Sequence, residues 1–479
     1  MRNKKIINYV GVVFVALTYT ACTVPTLVQK SEHKLTATSY GGPKGSDSVN
    51  TAKVSWKSYF TDPYLIALID TAFKNNQELN ITLQEIEIAR NEVMARRGEY
   101  LPFVGYGGTI GVEKAGRYTQ VGTSEANLEI KPGKETPEPL PNFAGGLYAR
   151  WEIDIWHKLR NARKAAATRY LASVEGKNFM LTNLVAEIAL SYYELRALDS
   201  QLNIVQQNIE IQNNALKIVK LEKESTRVTE LAVRRFQAQV LNTQSLQYGI
   251  QQRIVETENK INFLLGRYPQ PIPRDNGNFE TLTPTISHAG IPSQLLENRP
   301  DIKQAELQLE ASKIEVEVAR ANFYPSLSLS GNLGLQAFNP VYLAKLPQSL
   351  IASLIGDLAG PLINKNAITA TYYNANAKQI QAIYNYEKTV LNAYIEVVNQ
   401  LSNMDNLGKS FELKANEVQA LNQSITISNN LFRSARADYM EVLLTQRDAL
   451  ESRFDLIETK MKQMNATVNI YRALGGGWN

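Results

Sequence analysis

Cysteine and histidine are nearly missing from this 479-residue chain, which has one cysteine, Cys22, and three histidines, His33, His157 and His288. A single cysteine excludes a disulfide within the chain. The histidines are scattered, without the short spacings that place metal ligands on one helix or loop. A phosphate-cradling loop of the Walker type is missing as well. The sequence therefore offers no catalytic centre and no resident metal or cofactor, and an enzyme is not expected. The terminal glycines Gly475, Gly476 and Gly477 read as a flexible end rather than a phosphate cradle.

Long hydrophobic runs are also scarce. The one apolar run spans about Ile6 to Leu17, behind a basic start of Arg2, Lys4 and Lys5, and ends in a small residue before Cys22. That order is an export signal, so residues 1–21 are expected to be removed. Cys22 directly follows Ala21 and resembles a bacterial lipoprotein cleavage site, although Tyr19 stands where such sites prefer leucine. A covalent lipid such as palmitate is expected on Cys22. The formal net charge is +5; the signal carries three basic groups and no acidic ones, leaving 48 − 46 = +2. A near-neutral chain of this kind argues against a nucleic-acid partner. No later stretch of 18 or more apolar residues suggests a transmembrane helix.

Proline is absent from Asn142 to Tyr268 and from Leu362 to the C-terminus, yet crowded in residues 132–141 and 269–300. Helix interiors exclude proline, so the two gaps mark helical territory. Within them Leu181, Ile188, Leu195, Leu202 and Ile209 recur every seven residues, and Val390, Val397, Met404, Phe411 and Val418 do so at a constant offset of 209. Two heptad ladders in register predict packed, supercoiled helices in both halves. An unbroken helix of about 60 residues would reach roughly 90 Å.

The halves echo each other elsewhere, with Arg97 matching Arg320 and Pro102 matching Pro325 at an offset of 223. Between the strands and the helices the copies must then differ in length. Behind each proline the chain alternates. Val104, Tyr106, Ile110 and Val112 share one face, opposite Gly105, Gly107, Thr109 and Gly111; Leu327, Leu329, Leu333 and Leu335 oppose Ser326, Ser328, Ser330 and Asn332. Partner strands are expected where Leu147, Trp151, Ile153 and Ile155 alternate with Tyr148, Arg150, Glu152 and Asp154, and from Leu350 to Gly360. The four strands are placed at about 102–112, 143–155, 325–335 and 350–360. Each is long enough for a tilted strand to cross a bilayer with one face to lipid and one to water. Trp151, Trp156, Phe338 and Tyr342 sit in or near them, as interfacial girdles would. Four strands cannot close a barrel, for which about eight are needed, and an open edge in lipid leaves backbone groups unpaired. A barrel would have to be shared between chains.

The stretch RPDIKQAELQLEASKIEVEVARANFYPSLSLSG (299–331), the ending NIYRALGGGW (469–478) and the two-repeat layout resemble the TolC-like outer membrane factors, in particular the outer membrane efflux lipoproteins of tripartite systems. The resemblance implies an α+β membrane protein whose long coiled-coil α-helical barrel is continuous with a transmembrane β-barrel, four strands per chain. It implies a homotrimer in the outer membrane with its helical barrel in the periplasm. Partners would be a periplasmic adaptor (membrane fusion) protein and an inner-membrane pump, often of the resistance-nodulation-division type. On this reading residues 22–60 form a lipid-anchored extended segment, 61–268 the first repeat, 269–298 a linker and 299–479 the second repeat.

Such channels narrow where the helical hairpins turn. Here the turns are expected near Ser225 to Glu230 and Ala435 to Tyr439, with Ser225-Thr226 and Ser434-Ala435 where the family commonly carries glycine. Matching the stretch 437–450 to the family pattern puts Met440 at the apolar pore position and Leu444 where an acidic ring is usual. Glu441 and Glu230 are the nearest carboxylates; they either face the pore or pair with Arg436 and Arg227. The expected activity is passive export of drugs, metals or other small molecules. Rival readings are the outer membrane channel of a type I protein secretion system and a structural or adhesive coiled-coil lipoprotein.

Overall fold

The computed structural model describes residues 24–32, 37, 39–40, 50–275, 277, 279–284, 288–434 and 436–478. Cys22, His33 and Ala435 lie outside the described residues. The major elements are α1 (Pro63–Asn75), α2 (Gln77–Tyr100), β1 (Phe103–Glu113), β2 (Leu140–Ile153), α3 (Lys158–Glu224), α4 (Glu230–Leu264), α5 (Pro300–Ala321), β3 (Ser326–Ala337), β4 (Leu350–Ala359), α6 (Asn366–Arg433) and α7 (Tyr439–Ala473). The chain divides into two compact units, one built from Glu87–Leu171 and Leu307–Ile383 with the start of the chain, the other from Glu32–Ile86, Ala172–Glu306 and Tyr384–Asn479.

The first unit holds a four-stranded antiparallel sheet in the order β1-β2-β3-β4. The register keeps polarity on one side. Arg150 lies opposite Ser330, Glu152 opposite Ser328, and Ser328 opposite Asp357, while Leu147 faces Leu333 and Trp151 faces Leu329 on the other side. The apolar side is open: Ile110 is 83% and Leu354 80% exposed. β2 and β3 approach closely at one point, where a side-chain carbon on Gly146 would come within 2.4 Å of the Gly334 Cα, so only glycine fits.

Strand ends differ slightly from the sequence expectation. β2 stops at Ile153 because the buried Asp154 carboxylate turns to accept the backbone N–H groups of Leu159 (3.0 Å) and Arg160 (2.9 Å), capping α3. The unequal copies also have a location. Residues 114–139 join β1 to β2 and residues 338–349 join β3 to β4, 26 residues against 12; the difference of 14 equals the gap between the offsets 223 and 209. The longer connection carries the helix Gln120–Asn127 and the small hairpin Glu129–Lys131 and Lys134–Glu135.

Where α5 gives way to β3, Ala321 is the last helical residue and Phe323 is buried against Tyr372, Val24 and Leu27. Pro325, lacking an N–H, cannot extend a helix but tolerates the edge of a strand. The Trp156 indole donates to the Pro325 carbonyl at 2.8 Å and stacks on Tyr324 at 4.7 Å. In the first copy the Trp151 indole donates to the Tyr100 carbonyl at 3.1 Å.

The second unit is built on helical hairpins. α3 and α6 run 67 and 68 residues, and α4 and α7 are 35 residues each. Its main core gathers Tyr192, Leu195, Ile188, Ile261 and Tyr471 around Trp56, Tyr59, Leu65 and Ile69. The Tyr59 and Tyr471 rings stack at 4.0 Å.

One hydrogen bond recurs at the root of each hairpin. The last carbonyls of a helix have no partner within it. The Asn76 amide, just ahead of α2, donates to the Leu264 carbonyl at the end of α4 (2.8 Å). The Arg299 guanidinium, just ahead of α5, donates to the Ala473 carbonyl at the end of α7 (2.7 Å). Asn76 and Arg299 are 223 apart, Leu264 and Ala473 209 apart, so the two bonds are equivalent. Arg299 also forks onto Asp301 (3.0 and 2.7 Å) and reaches Glu396 (2.9 Å). Burial opposes its charge, but the bonds to Asp301 and Glu396 outweigh burial and hold the guanidinium above its usual range.

The terminal glycines are not a flexible end. Gly475, Gly476 and Gly477 are buried. Gly475 takes φ +93 beyond α7, beside the Asn298 carbonyl, and a side-chain carbon on Gly476 would strike the Tyr471 ring at 2.2 Å. The run stops the helix and lets the chain fold back onto its root.

Replacing Arg299 with methionine strips the half-buried Asp301 and Glu396 carboxylates of their shared cation and leaves Glu396 only Arg472. A loss of about 3 kcal/mol is expected in denaturant unfolding of the detergent-solubilised protein, against about 1 kcal/mol for Asn76→Ala. Equal losses would show that the charge adds nothing to the clamp.

Candidate functional site at the hairpin turns

The first turn links α3 to α4 through residues 225–229. The Thr226 N–H donates to the Lys223 carbonyl and the Arg227 N–H to the Glu222 carbonyl, both at 2.9 Å, with Thr226 at φ +60. This pairing closes a helix with one left-handed residue, a place that suits glycine and strains a β-branched side chain. At the second turn the Arg436 N–H donates to the Leu431 carbonyl at 2.9 Å. Arg227 and Arg436 are 209 apart, as are Glu222 and Leu431, so the turns are copies of each other.

The two hairpins pack together here. Leu216, Val219, Ala232, Val233, Phe236 and Val240 bury one another, and Phe432, Tyr439 and Leu443 from the second hairpin close over them. Met440 is half-buried, and its sulfur accepts from the Arg235 guanidinium at 3.0 Å. Glu441 and Leu444 are exposed.

Glu230 pairs with neither of the partners considered for it. Its carboxylate takes Lys223, across the turn, and the Arg234 guanidinium one helical turn on, at 2.7 Å. Among the described residues no ion pair joins Glu230 to Arg227 or Glu441 to Arg436; Arg227, Arg436 and Glu441 stand exposed. Sequence reading missed Lys223, Arg234 and Arg235. The i, i+4 spacing of Glu230 and Arg234 was a usable signal; the Arg235–Met440 contact, 205 residues apart, had none.

The described turn residues thus form a buried apolar cluster rimmed by charge. Against this geometry, the family model described as "Outer membrane efflux protein" matches residues 68–267 and 291–476. The chain belongs to the outer membrane efflux protein family. That is a family of channels rather than of enzymes. Similar proteins include the solvent efflux pump outer membrane protein SrpC of Pseudomonas putida, 26% identical over 93% of this chain and 92% of that one. The probable outer membrane lipoprotein SilC of Salmonella typhimurium is 25% identical over 88% of each. The open state of the MtrE outer membrane channel of Neisseria gonorrhoeae shares the fold, with a TM-score of 0.82 at 20% identity over 95% of this chain and 98% of that one.

The Glu230 contacts are open to titration. The hydrogen bond from Lys223, then the charges of Lys223 and Arg234, hold the carboxyl below the usual glutamate range. Its stabilisation is therefore present above the unfolded-state value, near 4.3, and lost as pH falls through the lower folded value. A carbon-detected NMR titration of Glu230 should give a midpoint below an ordinary glutamate, moving up in Lys223→Met. A wild-type midpoint at the ordinary value would remove the ion pair.

Proposed function

We propose that this outer membrane efflux protein is the exit duct of a tripartite system, assembled as a homotrimer and carrying small molecules such as solvents, drugs or metals out of the cell. The sheet supports this most directly. β1 and β4 are each paired on one side only among the described residues, and the apolar face is exposed along both. Lipid does not tolerate unpaired strand edges, and four strands are too few to close. Three copies would join edges into a twelve-stranded transmembrane barrel. No described helix is long and apolar enough to cross a membrane.

The aromatic residues suit that placement. Trp151 and Trp156 lie at the helix end of the sheet, bonded to Tyr100 and Pro325. Phe338 and Tyr342 lie in the 338–349 connection at the other end, their rings 5.1 Å apart. Two belts a strand-length apart match the two faces of a bilayer.

At the turns the duct would be gated by the second hairpin, with Met440 as the apolar constriction, Leu444 beside it, Glu441 as an exposed carboxylate near the pore, and the Arg227 and Arg436 turns as the docking point for a periplasmic adaptor. Energy would come from an inner-membrane pump, as the resemblance to tripartite systems implies. Cys22 would carry the lipid anchor, in keeping with the resemblance to a lipoprotein.

In planar bilayers the purified protein should open rarely. Met440→Ala should raise its conductance, and an unchanged conductance would leave Met440 without a gating role. Cys22→Ser should abolish incorporation of radiolabelled palmitate; labelling that persists would sink the anchor.

A further inference from the structure

All charge in the sheet lies on its polar side. Counted from the helix end, beyond the pair Ser326 and Ala359, the first row to span three strands is Glu152, Ser328 and Asp357, and the next is Phe103, Arg150, Ser330 and Ile355. Above these the rows are neutral, with Tyr148, Asn332 and Ser353 and then Gly107, Gly146 and Gly334, until Glu113 at the far end of β1. A cleft at the foot is lined by Glu99, Arg150, Glu152, Ser328, Ser330 and Asp357.

The carboxylates there are not alike. Glu152 is neutralised by Lys158 at 2.8 Å, and Glu99 by Arg96 at 3.1 Å. Asp357 is exposed and has no ion-pair partner among the described residues. Arg150 is the nearest uncommitted cation on this face. It stands one row up and two strands away, roughly 12 Å by strand spacings, and its guanidinium leans over the Tyr148 ring, 6.0 Å from the centroid. At that distance, in water and salt, it screens Asp357 little. β4 is an edge strand, and the edge a second copy would bring, β1, carries no charge on this face from Phe103 to Gly111.

Resting on the duct reading above, we propose that Asp357 is a specificity-determining residue: repeated in each copy, it rings the helix end of the β-lumen with negative charge and favours cationic over anionic solutes. Arg150, one row farther in, opposes it. Fixed rings of one sign select ions in this way without binding them tightly.

The test is the reversal potential of the full-length protein in planar bilayers under a potassium chloride gradient. Asp357→Asn should lower the cation-over-anion permeability ratio about two-fold or more, with a larger effect at low salt. Arg150→Gln should raise the ratio, and Ser328→Asp, which adds a carboxylate to the same row, should raise it too. Conductance with a ratio unchanged in Asp357→Asn overturns the assignment while leaving the duct intact. A wild-type protein that forms no conductance in any bilayer overturns the duct and this assignment with it.

Discussion

Backbone hydrogen bonding at a strand edge is the constraint from which most of this molecule follows. Water can satisfy an exposed N–H or C=O, but hydrocarbon cannot. β1 and β4 each end the sheet with an open edge, and their apolar residues, such as Val104, Tyr106, Leu354 and Leu358, face outward with nothing over them. One chain cannot resolve both problems. On the proposed reading, a closed ring of several chains in a bilayer would resolve them together, and the polar rows would then line a passage.

The second recurring demand is the helix end. Each 35-residue helix finishes with a left-handed glycine, Gly266 at φ +66 and Gly475 at φ +93, and a carbonyl taken by a side chain from the start of the preceding helix-and-strand segment. The motif Arg299-Pro300-Asp301 and the terminal glycines, far apart in sequence, thus form one structure. Arg299 reaches the Ala473 carbonyl, and Gly475 sits against Asn298. The sequence pattern that carried the family resemblance is the hardware that fixes the hairpin root.

Much of the fold was legible. Proline gaps located the long helices, alternation located the strands to within three residues, and the offsets 223 and 209 anticipated a length difference that proved to be 14 residues between the strands of each pair. These signals are local or periodic, so one sequence suffices. What failed was read from composition alone. Glycines at the terminus looked flexible because their packing against Tyr471 and Thr182 depends on tertiary contacts. At the turns, Met440 and Glu230 could be nominated, but the partners that hold them, Arg235 for one and Lys223 for the other, follow from how the chain doubles back.

The two repeats differ in where ion pairs close them. The first has Asn76 on Leu264 at its root, with Arg274 forked onto Asp199 and Glu258 between α3 and α4, and a turn closed by the ion pairs Lys223–Glu230–Arg234. The second has Arg299 with Asp301 and Glu396 at its root, and a turn at which no ion pair occurs among the described residues and Tyr439, in the place of Glu230, packs into the shared cluster. Ion pairs in water contribute little and exchange freely, whereas buried, forked ones resist displacement. The turn of the second hairpin is held by the apolar cluster and by the Arg235–Met440 contact, so a shift there breaks no ion pair among the described residues. On the proposed duct reading, that difference favours Met440 over Glu230 as the moving part of a gate.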